Sequence, residues 1–190
     1  MKTAAKTSAF ALLLSAVVGN VPDKCIVPVG KPIGDQKGEE ANISDAVGAI
    51  AKPSTRFFGL RACTDKTSGI LVYVQFYLKS DESEELEEMP AVGPVLSEDL
   101  LDCKRRKLEQ TDFMIDTVNI YSSASGIDAI RFNVGTLGET FGTPSEDSTI
   151  TTLTFTETLQ LTSIAGTQSF SGIKSIQFSS LDQDCVRRYS

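Results

Sequence analysis

Along most of this chain apolar and polar residues take turns, in short runs separated by glycine, serine and proline. Residues 113–121 (FMIDTVNIY), 127–133 (IDAIRFN), 149–156 (TITTLTFT) and 159–164 (LQLTSI) all follow this rhythm. A period of two turns one face of a strand toward a core and the other toward water. The runs are rich in the β-branched and aromatic side chains that suit a pleated, half-buried surface. One stretch recurs. Residues 169–178 (SFSGIKSIQF) have a near-copy at 123–132 (SASGIDAIRF) and a looser third version at 68–76 (SGILVYVQF), with one extra residue between its Ser-Gly and its Phe. Each is a small-residue turn followed by a strand that ends in phenylalanine. Internal repetition of this kind implies one β unit used three times. Residues 57–63, the polar turn 64–69 and residues 70–78 read as a hairpin. Gly135, Gly138, Gly142 and Pro144 punctuate later connections, and helix signals are scarce. The pattern predicts an all-β sandwich, barrel or prism.

The rhythm breaks in four places. Lys2 and Lys6 precede an apolar run at 8–18, and the small residues Ala16 and Gly19 offer cleavage points. That run is too short to span a bilayer, and its order predicts a secretory signal peptide over 1–19. Residues 20–52 carry Pro22, Pro28, Gly30, Pro32 and Gly34 and read as a leader of loop and short edge strand. The acidic run 81–88 and the basic run Lys104, Arg105, Arg106 and Lys107 read as parts of a loop insertion at about 80–110. A processing site or an anion patch is the other reading of the basic run. The main domain is then 53–182, with a tail at 183–190.

Charge and composition narrow the function. The formal net charge is −7, and −9 once Lys2 and Lys6 are removed with the signal. Such acidity disfavours nucleic acid, which is held by neutralising phosphates, and no other stretch is apolar enough for membrane insertion. The chain has no histidine, which removes Ser-His-Asp and Cys-His catalysis and His-ligated metals. Carboxylates concentrate in the repelling 81–88 run, and no EF-hand spacing is present, so neither an enzyme, a metal nor a cofactor is expected. Tryptophan is absent too, so any sugar stacking falls to Tyr or Phe. Four cysteines in a secreted chain imply two disulfides in one of three pairings. The preferred one joins Cys25 to Cys185, tying the domain's ends, and Cys63 to Cys103, closing a loop of about 40 residues worth up to ~4 kcal/mol. Asn42, in Asn42-Ile43-Ser44, is a candidate glycosylation site.

With these features in order, the chain resembles the jacalin-related lectins. The stretch 112–121 matches that family's "EYI-x-x-V-x-G-Y" strand, 126–132 its "I-x-S-L-x-F-x-T" strand, and 138–143 (GETFGT) its "YGPFG"-like loop. Residues 161–178 resemble its closing segment, and 57–78 its first repeat; the match covers roughly 50–180. The resemblance implies a β-prism of three four-stranded antiparallel sheets with pseudo-threefold symmetry. It also implies a sugar site at the last turn, where typical members carry G-x-x-x-D. Here Phe170 stands at the Gly position and Lys174 at the Asp position. A carboxylate only accepts hydrogen bonds and an ammonium only donates them, so the key contact is reversed.

Three functional expectations follow. The turn, with Phe170, Ser171, Gly172 and Lys174, binds an anionic glycan through Lys174. Sugar binding has instead moved to the second repeat, where Asp128 holds the equivalent place and Tyr121 lies near enough to stack. Or the prism is a structural or adhesion module of an extracellular matrix or wall, with Asp128 and Lys174 facing solvent. The leading reading is a secreted, carbohydrate-binding module for extracellular or cell-surface glycans and glycoproteins; single shallow sites bind weakly, so useful adhesion needs several sites or a homo-oligomer.

Overall fold

The computed structural model describes residues 25–35, 39–41, 55–80, 86–89, 91–94, 96–107, 115–134, 137–156, 159–182, 184–185 and 188. The signal segment, Asn42 and residues 81–85 of the acidic run lie outside the described residues. Among the described residues twelve strands follow one another: β1 (Ile26–Gly34), β2 (Glu39–Ala41), β3 (Thr55–Asp65), β4 (Leu71–Ser80), β5 (Leu86–Glu88), β6 (Leu101–Lys107), β7 (Thr117–Ser123), β8 (Gly126–Val134), β9 (Leu137–Gly142), β10 (Thr149–Thr154), β11 (Leu159–Ser169) and β12 (Gly172–Asp182). They form three four-stranded antiparallel sheets. Sheet I has the order β1-β12-β11-β2, sheet II β5-β4-β3-β6 and sheet III β10-β7-β8-β9. The fold is the expected β-prism.

The three sequence repeats are the hairpins β3–β4, β7–β8 and β11–β12, one at the centre of each sheet. Their closing phenylalanines meet in the core. Phe76, Phe132 and Phe178 are all fully or almost fully buried. Their ring centroids are 6.2 Å (Phe76–Phe132), 6.3 Å (Phe76–Phe178) and 6.4 Å (Phe132–Phe178) apart. Each sheet thus sends one ring to a common point, within the range of favourable aromatic pairing.

Simple alternation fails at an equivalent place in all three repeats. In β8 the register steps from Ala129 to Ile127, leaving Asp128 without a partner across β7. The same step leaves Lys174 over in β12 and Val72 in β4. Each hairpin therefore carries a β-bulge, an extra residue that bends the strand and re-aims side chains. The bulge lets Ile127 and Ile130, or Ile173 and Ile176, face the core together despite their spacing of three. It also corrects an expectation: Asp128 is not solvent-facing but 1% exposed.

A glycine closes over each bulge. Gly142, at φ 94°, ends β9 with its α-carbon against the Asp128 carbonyl; a Cβ there would come within 2.3 Å of that oxygen. Gly34 and Gly93 hold the same place over Lys174 and Val72.

The short edge strand expected within residues 20–52 is two strands, β1 and β2, which form the two edges of sheet I. The basic run, assigned to a loop, forms edge strand β6. Charged residues on an edge discourage pairing with other chains, which reconciles such a run with a strand. Cys25 is bonded to Cys185 and Cys63 to Cys103, the pairing preferred from the sequence. Cys63 and Cys103 are direct cross-strand partners in sheet II.

Candidate functional site

The residues singled out in the sequence fall into two groups on two sheets. Phe170, Ser171, Gly172 and Lys174 belong to the β11–β12 hairpin of sheet I, while Tyr121 and Asp128 belong to β7 and β8 of sheet III. A hydrogen bond links the two hairpins: Lys174 Nζ donates to the Ser125 carbonyl, 2.6 Å away, at the tip of the β7–β8 turn.

The β11–β12 turn is tight. Ser169 and Ser171 hydroxyls lie 2.9 Å apart, and the Ser171 N–H donates to Ser169 Oγ at 3.2 Å. These bonds hold Phe170 at the tip, 88% exposed. Behind the turn, Asp35 N–H donates to the Lys174 carbonyl at 3.0 Å, and Thr167 Oγ1 donates to the Asp35 carbonyl at 2.9 Å. Buried Ser175 lies 2.8 Å from Thr167 Oγ1. The segment after Gly34 is therefore fixed to the turn's base. This support was not read from the sequence, because its partners are more than 130 residues apart in the chain.

The second group is closed. Asp128 Oδ1 accepts from Ser123 Oγ at 3.0 Å, and Oδ2 accepts from Ser145 Oγ at 2.9 Å and Ser148 Oγ at 2.6 Å. The two loop hydroxyls are 3.0 Å apart. Buried carboxylates must be hydrogen-bonded, and here three hydroxyls of the chain itself do the bonding. They occupy the lone pairs that a sugar's hydroxyls would use. Tyr121 is half-buried on β7, between Ala129 and Ile150 on its neighbouring strands. The serines at 145 and 148 were missed; their signal was the hydroxyl-rich stretch that follows Gly142.

A concavity of about 410 Å³ lies elsewhere, at the corner between sheets II and III. Thr64, Asp65, Asp102, Lys104, Thr140 and Thr143 line it, and none of the predicted site residues does. In its wall Asp65 caps the β3–β4 turn, accepting from Ser68 N–H at 2.7 Å, Ser68 Oγ at 2.9 Å and Thr67 N–H at 3.1 Å. The Ser68 backbone and hydroxyl bonds hold its carboxyl below the usual range. Among the described residues no three His, Cys, Asp or Glu side chains converge as metal ligands would.

Set beside solved structures, the fold is similar to the β-prism of jacalin-related lectins. A mannose-binding jacalin-related lectin from Ananas comosus superposes with a TM-score of 0.60 at 11% identity, over 83% of this chain and 98% of that one. Calsepa lectin, solved with a biantennary N-glycan, gives 0.59 at 9% identity, over 81% and 95%. Artocarpin, solved with mannotriose, gives 0.58 at 14% identity, over 81% and 96%. No protein-family model matches the sequence, and no curated protein sequence does.

Proposed function

We propose that the chain is a secreted carbohydrate-binding protein that takes extracellular or cell-surface glycans at the β11–β12 end of the prism. The observation that carries this reading is the turn itself: an exposed Phe170 at a tip flanked by two hydroxyls, with Lys174 on the same hairpin reaching the neighbouring turn at Ser125. An aromatic face covers a sugar's apolar side while hydroxyls and backbone groups meet its polar rim. Mannose, mannotriose and N-glycan ligands of proteins with this fold support the substrate class. Two disulfides support an oxidising, extracellular setting.

Lys174 sets the preference within that class. An ammonium has three N–H donors, and the Ser125 carbonyl takes one. The others favour a ligand rich in acceptors, such as a sulfated or carboxylated sugar. A glycan array of neutral and acidic sugars tests this. Binding is expected for acidic glycans, and both Phe170→Ala and Lys174→Ala weaken it by roughly tenfold, or about 1.4 kcal/mol. No binding to any glycan rejects the reading, and unchanged affinity in both variants moves the site elsewhere. A site at Asp128 requires the loop carrying Ser145 and Ser148 to withdraw, and Tyr121→Ala then weakens binding instead.

One observation favours a second reading, a structural or adhesion module without sugar binding. Lys174 replaces one candidate carboxylate, and the chain's own serines consume the other.

A further inference from the structure

Strands β3 and β6 are paired through seven register positions, and Arg61 of β3 stands directly opposite Arg105 of β6. Directly opposed residues share a face. Leu60 and Ala62, on either side of Arg61, belong to the core, so the two arginines lie on the outer face of sheet II. Like charges placed opposite each other repel. Arg105 fits the rule that edge strands carry charge to discourage further pairing. Arg61 does not, because β3 lies inside the sheet, between β4 and β6. A second guanidinium beside the first therefore calls for another reason.

Both guanidiniums sit against aromatic rings of β4. Arg61 Cζ is 5.7 Å from the Tyr73 ring centroid, and its Nη2 donates to Cys103 Sγ at 3.8 Å. Arg105 Cζ is 5.7 Å from the Tyr77 ring centroid. Such contacts hold a guanidinium in place without neutralising it. Among the described residues Arg105 has no carboxylate partner; the ion pair of this strand is made by Arg106, with Glu139. Tyr77 supplies an independent observation. It stands opposite Gly59, is 7% exposed, and its buried hydroxyl has no hydrogen-bond partner among the described residues. A buried hydroxyl normally has one. Arg105 and the Tyr77 hydroxyl thus lack the same thing, an acceptor, and for Arg105 a negatively charged one.

We propose that the outer face of sheet II holds a binding site for a tetrahedral oxyanion, a sulfate or phosphate group on a larger ligand, gripped by Arg105 with Arg61 beside it and accepting from the Tyr77 hydroxyl. The planar guanidinium fork meets the oxygens of such a group in pairs. An anion at the two arginines replaces their mutual repulsion by a shared attraction. Glu88 stands opposite Tyr77 on the β5 side, so the anion belongs on the side of β3 and β6. The chain's net charge of −7 repels extended polyanions, but at physiological salt this repulsion fades beyond about 8 Å, which leaves one compact group free to bind. The site is on a different sheet from the β11–β12 turn and does not depend on glycan binding there.

Magnetic-resonance titration of the purified protein with inorganic phosphate and with inorganic sulfate, at constant ionic strength, tests this. Saturable shifts of the Arg105 and Arg61 side-chain N–H signals are expected in the millimolar range. Tighter binding of phosphate assigns the group to a phosphate ester, and tighter binding of sulfate to a sulfate ester. Arg105→Gln is expected to weaken binding by roughly tenfold, since hydrogen bonds between charged groups are the stronger kind. Tyr77→Phe keeps the ring, loses the hydroxyl and is expected to weaken binding several-fold. Lys174→Ala is expected to leave it unchanged, which separates this site from the turn of sheet I. The absence of a saturable shift with either ion overturns the proposal, as does an Arg105→Gln variant that binds like the wild type. If Tyr77→Phe does not fold, the exposed Arg105 position decides by the same measure.

Discussion

Single residues in this protein take their roles from the bulge they occupy. Val72, Asp128 and Lys174 hold one equivalent position, yet one is apolar, one acidic and one basic. Val72 packs with Cys63 and Leu101 outside the main core. Lys174 ties its hairpin to the next one through Ser125. Asp128 anchors the loop that carries Ser145 and Ser148. Asp128→Ala strands three hydroxyls that have no other acceptor of that strength. Urea unfolding is expected to show a loss of about 2–3 kcal/mol, since hydrogen bonds to a charged group are the stronger kind. Glycan affinity at the β11–β12 turn should not change in the same variant.

Tyr73 offers a second test at this scale. Burial raises its phenol above the ordinary value of 10.0, while the nearby Arg61 and Arg105 cations pull it back. The Arg61 guanidinium lies 5.7 Å from the Tyr73 ring centroid. The folded chain therefore holds this proton more tightly than the unfolded chain does. Stability is intact below pH 10.0 and falls as pH rises through the raised value. Ultraviolet titration should find the Tyr73 phenol ionising late. Arg61→Ala, by removing a cation that favours phenolate, should make it ionise later still.

At the scale of elements, each hairpin is a turn, a bulge and a glycine laid across the bulge. Gly142→Ala tests that unit. Its Cβ would collide with the Asp128 carbonyl, and its φ of 94° is one that side chains resist. A loss of roughly 1–3 kcal/mol is expected from the backbone strain alone, with loosening of the loop beyond it visible as faster amide exchange at 143–148. The turns and strands of this unit were legible in the sequence because Ser-Gly and the closing Phe recur in each copy. The bulge was written there as well, in the three-residue step from Ile127 to Ile130 and from Ile173 to Ile176. Strict alternation hides it by placing Asp128 on the polar face. The basic strand β6 was illegible for a different reason. Four successive charges resemble a solvated loop, and only the ladder from Gly59↔Lys107 to Asp65↔Leu101 makes them a strand. Likewise the prolines of β1 suggest loop and a short edge strand, and the nine-residue strand is visible only with its partner β12. The candidate turn was legible down to its residues. Its supports, Asp35 and Thr167, were not, since no local pattern links residues so distant in the chain.

The whole molecule is held by what lies on its axis and at its ends. On the axis the three phenylalanines make each sheet depend on the other two. Removal of any one ring leaves a cavity at the point where all three sheets meet. Phe76→Ala, Phe132→Ala and Phe178→Ala should each cost about 3–5 kcal/mol, as large core truncations do. The three losses should be similar, because the positions are equivalent, and each unfolding curve should remain a single transition. A variant that lost one sheet while keeping the others would contradict this dependence.

The ends are tied differently. Strand β1, the first described strand, runs along β12, the last, from Ile26↔Leu181 to Gly34↔Ser175. Cys25 and Cys185 lock that ladder just beyond its end, across a sequence separation of 160. Cys63 and Cys103 span a separation of 40 inside sheet II. If a disulfide acts by restricting the unfolded chain, the longer loop is worth about 5 kcal/mol and the shorter about 4 kcal/mol. The two bonds should differ more in where they act than in how much. Replacing Cys25 and Cys185 by serine frees β1, an edge strand interrupted by two prolines, so local opening there precedes global unfolding. Replacing Cys63 and Cys103 leaves β3 and β6 paired through seven register positions and lowers global stability without a preferred site. Amide exchange on the two double variants separates these outcomes. The first should lose protection in β1 and its face of β12 while sheets II and III keep theirs; the second should lose protection evenly across all three.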